Sequence, residues 1–128
     1  MSKAQPRDPV HCDEALTSVF ALLGKRWTGV IIGVLLERPA RFAEMAGAIP
    51  GITEAMLSTR LAELQEAGLV SREVLPGPPI ASMYRLTDQG AALRPGLVAL
   101  AEWAEAHWLH RGADHHPKNA VTARGSEP

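Results

Sequence analysis

The stretch from Thr53 to Arg60 gathers Thr53, Glu54, Ala55, Ser58, Thr59 and Arg60 at helical spacing. Short hydroxyls placed this way donate to phosphates or base edges. An alanine methyl can meet a thymine methyl group, and a guanidinium suits a phosphate or a guanine edge. Two of these side chains have an ordinary alternative. Thr53 is equally suited to capping a helix, and Arg60 stands three residues before Glu63, the spacing of an intrahelical ion pair. Lys25, Arg26 and Arg41 fall at expected helix starts, and Arg72 and Arg85 on expected strands. From there they could grip backbone phosphates, which adds salt sensitivity rather than sequence reading.

The other reactive groups are few. Cys12 is the single thiol of the chain. A thiol ahead of a helix feels the positive end of the helix dipole, and a protonated His11 would favour the thiolate, whereas Asp13 and Glu14 work against it. Cys12 therefore reads either as a reactive sulfur or as a small hydrophobe. Without a second cysteine, redox chemistry there must be an intersubunit disulfide, a mixed disulfide or an adduct. His107 and His110 stand three apart near a helix end, and zinc would need three or four such ligands held together. Surface histidines are the simpler reading, so no metal and no cofactor are expected. There is no Gly-rich phosphate loop, no Gly-x-Ser-x-Gly elbow and no carboxylate pair set apart from a helix surface, so no enzyme is expected.

These residues need elements to hold them. Leu16, Val19, Phe20 and Leu23 recur at i, i+3, i+4 and i+7, which predicts a helix from Asp13 to Gly24. Trp27, Val30, Ile31, Val34 and Leu35 predict a second, largely buried helix that Arg38-Pro39 stops. A short helix over Phe42–Ala48 faces inward through Phe42, Met45, Ala46 and Ile49. Pro50-Gly51 turns the chain, and a fourth helix follows Thr53 with Leu57, Leu61 and Leu64 as its buried stripe and Gly68 as its end. Strands are expected over Val70–Leu75 and 83–87, joined by the loop Pro76-Gly77-Pro78-Pro79. A last helix starts near Thr87 or Asp88, presents Leu93, Leu97, Leu100 and Ala104, and is bent or split by Pro95. Helix, tight turn, longer helix and hairpin is the order of a winged helix-turn-helix, whose second helix is shaped to lie in a DNA major groove. The expected fold class is mainly α with a small β-hairpin wing, flanked by N- and C-terminal helices.

Composition agrees with one domain. The chain has 128 residues, 46% hydrophobic and 21% charged, enough apolar content for a real core. Residues 1–10 read as a flexible arm, 11–112 as the domain and 113–128, with His115 and His116, as a disordered tail. No apolar run approaches the ~20 residues that cross a bilayer, and the polar start lacks a signal-peptide core. One cysteine suits a reducing cytoplasm, so a cytoplasmic protein without a membrane partner is expected. The net charge of −1 lacks the usual basic footprint of DNA binding, so such binding must use locally placed cations or a dimer.

The run 12–103 resembles the HxlR-type transcriptional regulators. The matching pieces, in order, are Cys12, Leu23-Gly24-Lys25-Arg26-Trp27, Arg41-Phe42, Ile49-Pro50-Gly51-Ile52-Thr53, Met56-Leu57-Ser58-Thr59-Arg60-Leu61, Gly68-Leu69-Val70, Pro78-Pro79 and Tyr84-Arg85-Leu86-Thr87 with Gly90. The resemblance implies a homodimer that binds an inverted-repeat operator on double-stranded DNA, mostly as a repressor, with recognition helices about 34 Å apart. It places dimerisation on the first and last helices, here Leu16, Val19, Leu97, Leu100, Trp103 and Ala104. Covering their own core is the alternative role of these residues.

The resemblance also implies two kinds of signal. In several family members a cysteine at the Cys12 place senses oxidants or electrophiles such as quinones and aldehydes. The other kind is a small apolar ligand in a cavity between the dimer helices and the winged domain, for which Phe20, Trp27, Met45, Met83, Trp103 and Trp108 are candidates, although at helical spacing such residues are more often plain core. The wing departs from the family. Members usually carry a basic residue just after the wing prolines, and here Ile80-Ala81-Ser82-Met83 is uncharged. The rival expectation is a winged-helix module that binds protein rather than DNA.

Overall fold

Asp13 starts the first helix, α1 (Glu14–Leu23), by accepting the Leu16 N–H on its Oδ1 at 2.9 Å. The computed structural model describes residues 8–110, so the expectations for residues 1–7 and for the tail 113–128 lie outside the described residues. Gly24 closes α1 through its N–H to the Phe20 carbonyl. No residue of α1 is buried, although Leu22 and Leu23 pack against the core.

The second helix, α2 (Thr28–Glu37), follows Trp27, whose φ of 82° lies in the left-handed region. Its buried face is Thr28, Ile31, Ile32 and Leu35. This corrects the expected stripe: Trp27 precedes the helix, and Val30 is exposed. A helix apolar nearly all round has no stripe from which its orientation can be read. Among the described residues no single helix is long and apolar enough to cross a membrane.

A two-residue strand, β1 (Ala40–Arg41), leads into α3 (Phe42–Ala48). Glu44 joins the pieces. Its Oε1 accepts the Arg41 N–H at 2.8 Å and its Oε2 faces Arg38 Nη2 at 3.1 Å. That backbone hydrogen bond, aided by Arg38, holds the Glu44 carboxyl below its ordinary value. After Pro50-Gly51 comes α4 (Glu54–Glu66), capped by Thr53 Oγ1, which accepts the Met56 N–H at 3.0 Å. Leu57, Leu61 and Leu64 are buried along one side of α4. Gly68, at φ 80°, ends it with paired bonds, Gly68 N–H to Gln65 O and Leu69 N–H to Leu64 O, each 3.0 Å.

The strands β2 (Val70–Leu75) and β3 (Ala81–Leu86) pair antiparallel with Arg72 opposite Tyr84. The sheet has three strands, not the two expected, in the order β1-β3-β2, because Ala40 pairs with Tyr84 on the other edge of β3. A strand of this length carries no alternation to read, and the free edge of β3 supplies its partner. The second strand also begins at Ala81 rather than Met83 and ends at Leu86.

Thr87 caps a short helix, α5 (Asp88–Ala91), and α6 (Arg94–Trp103) follows with Pro95 in its first turn, so the last helix is split as expected. Past Trp103 the helix widens into a π turn over Ala104–Trp108. The core lies between α2, α3, α4 and the sheet, with Ile31, Ile32, Met45, Leu57, Leu61 and Leu64 as its fully enclosed side chains.

Candidate nucleic-acid interface

The turn between α3 and α4 is tight because Gly51 adopts φ 85°. A Cβ there would stand 3.5 Å from Cη2 of Trp27, so the indole lies against the turn that aims α4. Behind α4 are the buried leucines. On its outer side Thr53, Glu54, Ala55, Ser58 and Thr59 are all exposed. The helix thus presents two hydroxyls, a methyl and a capping threonine on a rigid support.

Arg60 is placed differently. Its Nε donates to the Arg26 carbonyl at 2.9 Å and its Nη1 lies 3.2 Å from Glu63 Oε1. Only 16% of the side chain is exposed, so of the two roles open to it the intrahelical pairing with Glu63 is present. Lys25 Nζ approaches the same Glu63 at 3.4 Å, and the Arg26 guanidinium sits 4.6 Å above the Trp27 ring. The fold therefore brings Lys25 and Arg60 together on one carboxylate, with the Arg26 backbone carbonyl held by Arg60. The sequence marks Glu63 only as a partner of Arg60, and its bridge to Lys25 has no local signal.

Arg41 is exposed at the start of α3. On the wing, Arg72 Nε donates to Ser82 Oγ at 3.0 Å, and Arg85 Nη2 lies 3.7 Å from Glu73. Ser82 is thus a partner that the sequence did not single out. Ile80 at the tip is 73% exposed.

Cys12 is exposed and lies outside the α1 cap. The Leu16 amide at the helix start is already satisfied by Asp13, so the end of the helix is occupied by a carboxylate next to the thiol. Among the described residues no group of three or more His, Cys, Asp or Glu side chains could hold a metal ion.

Within one chain the six pocket candidates fall on α1, the α1–α2 turn, α3, β3 and the last helix. Met45 is fully enclosed in the core, Trp27 lies on the α3–α4 turn, and Met83 is half-buried on β3. Phe20, Trp103 and Trp108 are exposed, with the two tryptophans stacked at 6.1 Å. Helical spacing says that such residues are apolar on one face, not which cavity they share. Of the candidate dimer residues, Leu16, Leu100 and Trp103 are about half exposed, while Val19, Leu97 and Ala104 are half-buried.

Comparison with known proteins gives this arrangement its context. The family described as HxlR-like helix-turn-helix matches residues 22–112. The HTH-type transcriptional regulator YodB of Bacillus subtilis is 44% identical over 90 residues, covering 70% of this chain and 80% of YodB. An uncharacterized HTH-type transcriptional regulator of Bacillus subtilis, YvaP, is 41% identical over 88 residues, 69% of this chain and 81% of YvaP. Among solved structures, the reduced form of YodB superposes with a TM-score of 0.67 at 40% identity, over 78% of this chain and 98% of YodB. The redox regulator HypR in its reduced form gives a TM-score of 0.72 at 29% identity, over 78% and 99% of the two chains. YodB has also been solved quinone-bound, similar to this chain with a TM-score of 0.64 at 39% identity over 73% of this chain and 99% of YodB. With its three-stranded winged fold and this match across most of its length, the chain belongs to the HxlR-like helix-turn-helix family of DNA-binding transcriptional regulators.

Proposed function

We propose that this regulator is a cytoplasmic homodimeric repressor that binds an inverted-repeat operator and is released by an oxidant, an electrophile or a small apolar molecule. The observation that carries the reading is the outer side of α4. Thr53, Glu54, Ala55, Ser58 and Thr59 are exposed there, over a helix whose other side is locked into the core by Leu57, Leu61 and Leu64. A reading helix needs this combination of free polar front and rigid back. Arg41 is set to hold phosphate from the start of α3, and Lys25, Arg26, Arg72 and Arg85 are the further basic side chains that would grip the backbone.

Support for the dimer comes from the apolar side chains left uncovered on the outer helices. Leu16 and Phe20 on α1, with Leu100, Trp103 and Trp108 at the far end, are each roughly half exposed. A face of this kind on a small domain marks an interaction site. A two-fold pairing through it would set two copies of α4 side by side, as a palindromic operator requires. The small-ligand cavity, if formed by Phe20, Trp103 and Trp108, would then lie at that interface.

The electrophile signal is assigned to Cys12, which lies ahead of the residues that match the family. Addition of its sulfur to a quinone would form one C–S bond, deliver the thiol proton to one quinone oxygen and, as the ring C–H proton at the attacked carbon moves to the other oxygen, give a hydroquinone thioether. Oxidation by diamide would join Cys12 sulfurs of two subunits, the diazene taking up both protons and both electrons. The test is gel-shift binding to the DNA upstream of the chain's own gene, with and without diamide, for wild type and Cys12→Ser. Release of wild type but not of the variant supports the switch. Two bound and unresponsive proteins assign the signal to a small ligand instead.

A further inference from the structure

The turn Lys25-Arg26-Trp27 joins α1 to α2, and α4 is fastened to it at two levels. At the start of α4, Trp27 lies against Gly51, 3.5 Å from where a Cβ would stand. About two turns further on, Arg60 Nε donates to the Arg26 carbonyl at 2.9 Å, and Glu63, nearly a turn beyond, pairs with both Arg60 and Lys25 at 3.2 and 3.4 Å. The left-handed backbone of Trp27, at φ 82°, is one that a bulky residue adopts only where its surroundings hold it. The Arg60 side chain is 16% exposed although arginine is ordinarily a surface residue.

We infer that Arg60, with Glu63, is a positioning residue that sets α4 against the α1–α2 turn, and that it does so instead of contacting DNA. This rests on the reading of α4 as the helix that enters the groove. Arginine fits the task because its planar fork gives the carbonyl and the carboxylate separate donors, whereas lysine offers a single ammonium on a flexible stem. The turn is continuous with α1, whose outer face is the proposed dimer surface. The strap therefore links the element that would pair the subunits to the element that reads bases. A slip of α4 against α1 would alter its aim in both halves of a dimer at once. Sequence-specific contacts would suffer from such a slip far more than phosphate contacts, which carry no sequence information.

The two roles predict opposite behaviour for Arg60→Lys. The probes are a duplex enriched by the wild-type protein from a random-sequence library and a scrambled duplex of equal length. The strap predicts that Arg60→Lys binds the enriched duplex about tenfold more weakly, the effect of losing one charge-assisted hydrogen bond. Binding to the scrambled duplex and the salt dependence stay as in wild type. Glu63→Gln lowers the ratio of the two affinities in the same direction and by less. The inference is overturned if Arg60→Lys keeps the wild-type ratio while Arg60→Ala lowers the salt slope by about one, the mark of a lost phosphate contact. An equal loss on both duplexes also overturns it. Should Arg60→Lys fail to fold, by circular dichroism and thermal melting, an unchanged ratio in Glu63→Gln overturns it and a lowered one supports it. Wild type that enriches no sequence removes the DNA-reading assignment of α4 and the strap with it, and that outcome is seen before any variant is made.

Discussion

Thr87 Oγ1 donates to the Gly68 carbonyl at 2.7 Å and accepts the Gly90 N–H at 3.1 Å, so one hydroxyl ties the end of α4 to the start of α5. The wing leaves and returns between these points. Thr87 N–H also donates to Leu69 O at 3.0 Å, closing the base of the hairpin. The wing is therefore anchored at its root by a side chain rather than by strand pairing alone.

Replacing this hydroxyl tests the anchor. Thr87→Val keeps the shape but loses both side-chain hydrogen bonds, and is expected to lower unfolding stability by about 2 kcal/mol. Thr87→Ser keeps both bonds and should stay within about 0.5 kcal/mol of wild type. Urea denaturation of the three proteins checks the ordering.

Gly90 and Gly68 respond differently to a methyl group. Gly90 is buried, and a Cβ on it would collide with the Leu69 carbonyl, a backbone atom that cannot step aside. Gly68 sits at φ 80° with only the end of the Gln89 side chain near, 3.9 Å away. Gly68→Ala should cost about 1 kcal/mol, for its backbone conformation alone. Gly90→Ala should cost more, about 2–3 kcal/mol, because α5 must shift away from the Leu69 carbonyl. Equal losses in thermal melts would contradict this reading of the packing.

Acid should reveal Glu44. Its carboxyl is held below the ordinary value of 4.5, first by the Arg41 N–H and then by Arg38. A lowered folded-state pKa means that the group adds stability above the unfolded value and loses it as pH falls through the folded one. Glu44→Gln should therefore melt below wild type at neutral pH, and the gap should close as the pH drops under 4.5. A gap that is constant with pH would mean that the amide has disturbed packing rather than charge.

These anchors also show what a sequence can carry. The bounds of α3 and α4 follow from local signals: Pro50-Gly51, the Thr53 cap, leucines at helical spacing and Gly68. Asp13 likewise announces α1. The orientation of α2 was not legible, because a helix apolar on most sides is turned by its neighbours. β1 exists only because β3 has an open edge for Ala40. In the candidate site the outward residues of α4 follow from its leucine stripe. The bond from Arg60 to Arg26 spans 34 positions, and no local pattern announces such a contact. Charge alone marked Arg60 for DNA, and the tertiary fold gave it a partner first.

The outer apolar face supports a sharper prediction about assembly. Leu16 is 56% and Trp103 53% exposed, so neither contributes much to the core of its own chain. Substituting either with aspartate should leave the melting of the single domain nearly unchanged, as for other exposed positions. In a two-fold interface each change occurs twice, and burying a large apolar side chain gives about 2 kcal/mol per copy. Leu16→Asp or Trp103→Asp should then weaken self-association by about a thousandfold, beyond what the added charge does to solubility. Sedimentation over a concentration series reads this directly. The same variants should lose affinity for a two-half-site operator while keeping that for a single half-site, because each α4 remains intact and only the pairing is lost. Variants that melt early would instead place these side chains in the core of one chain.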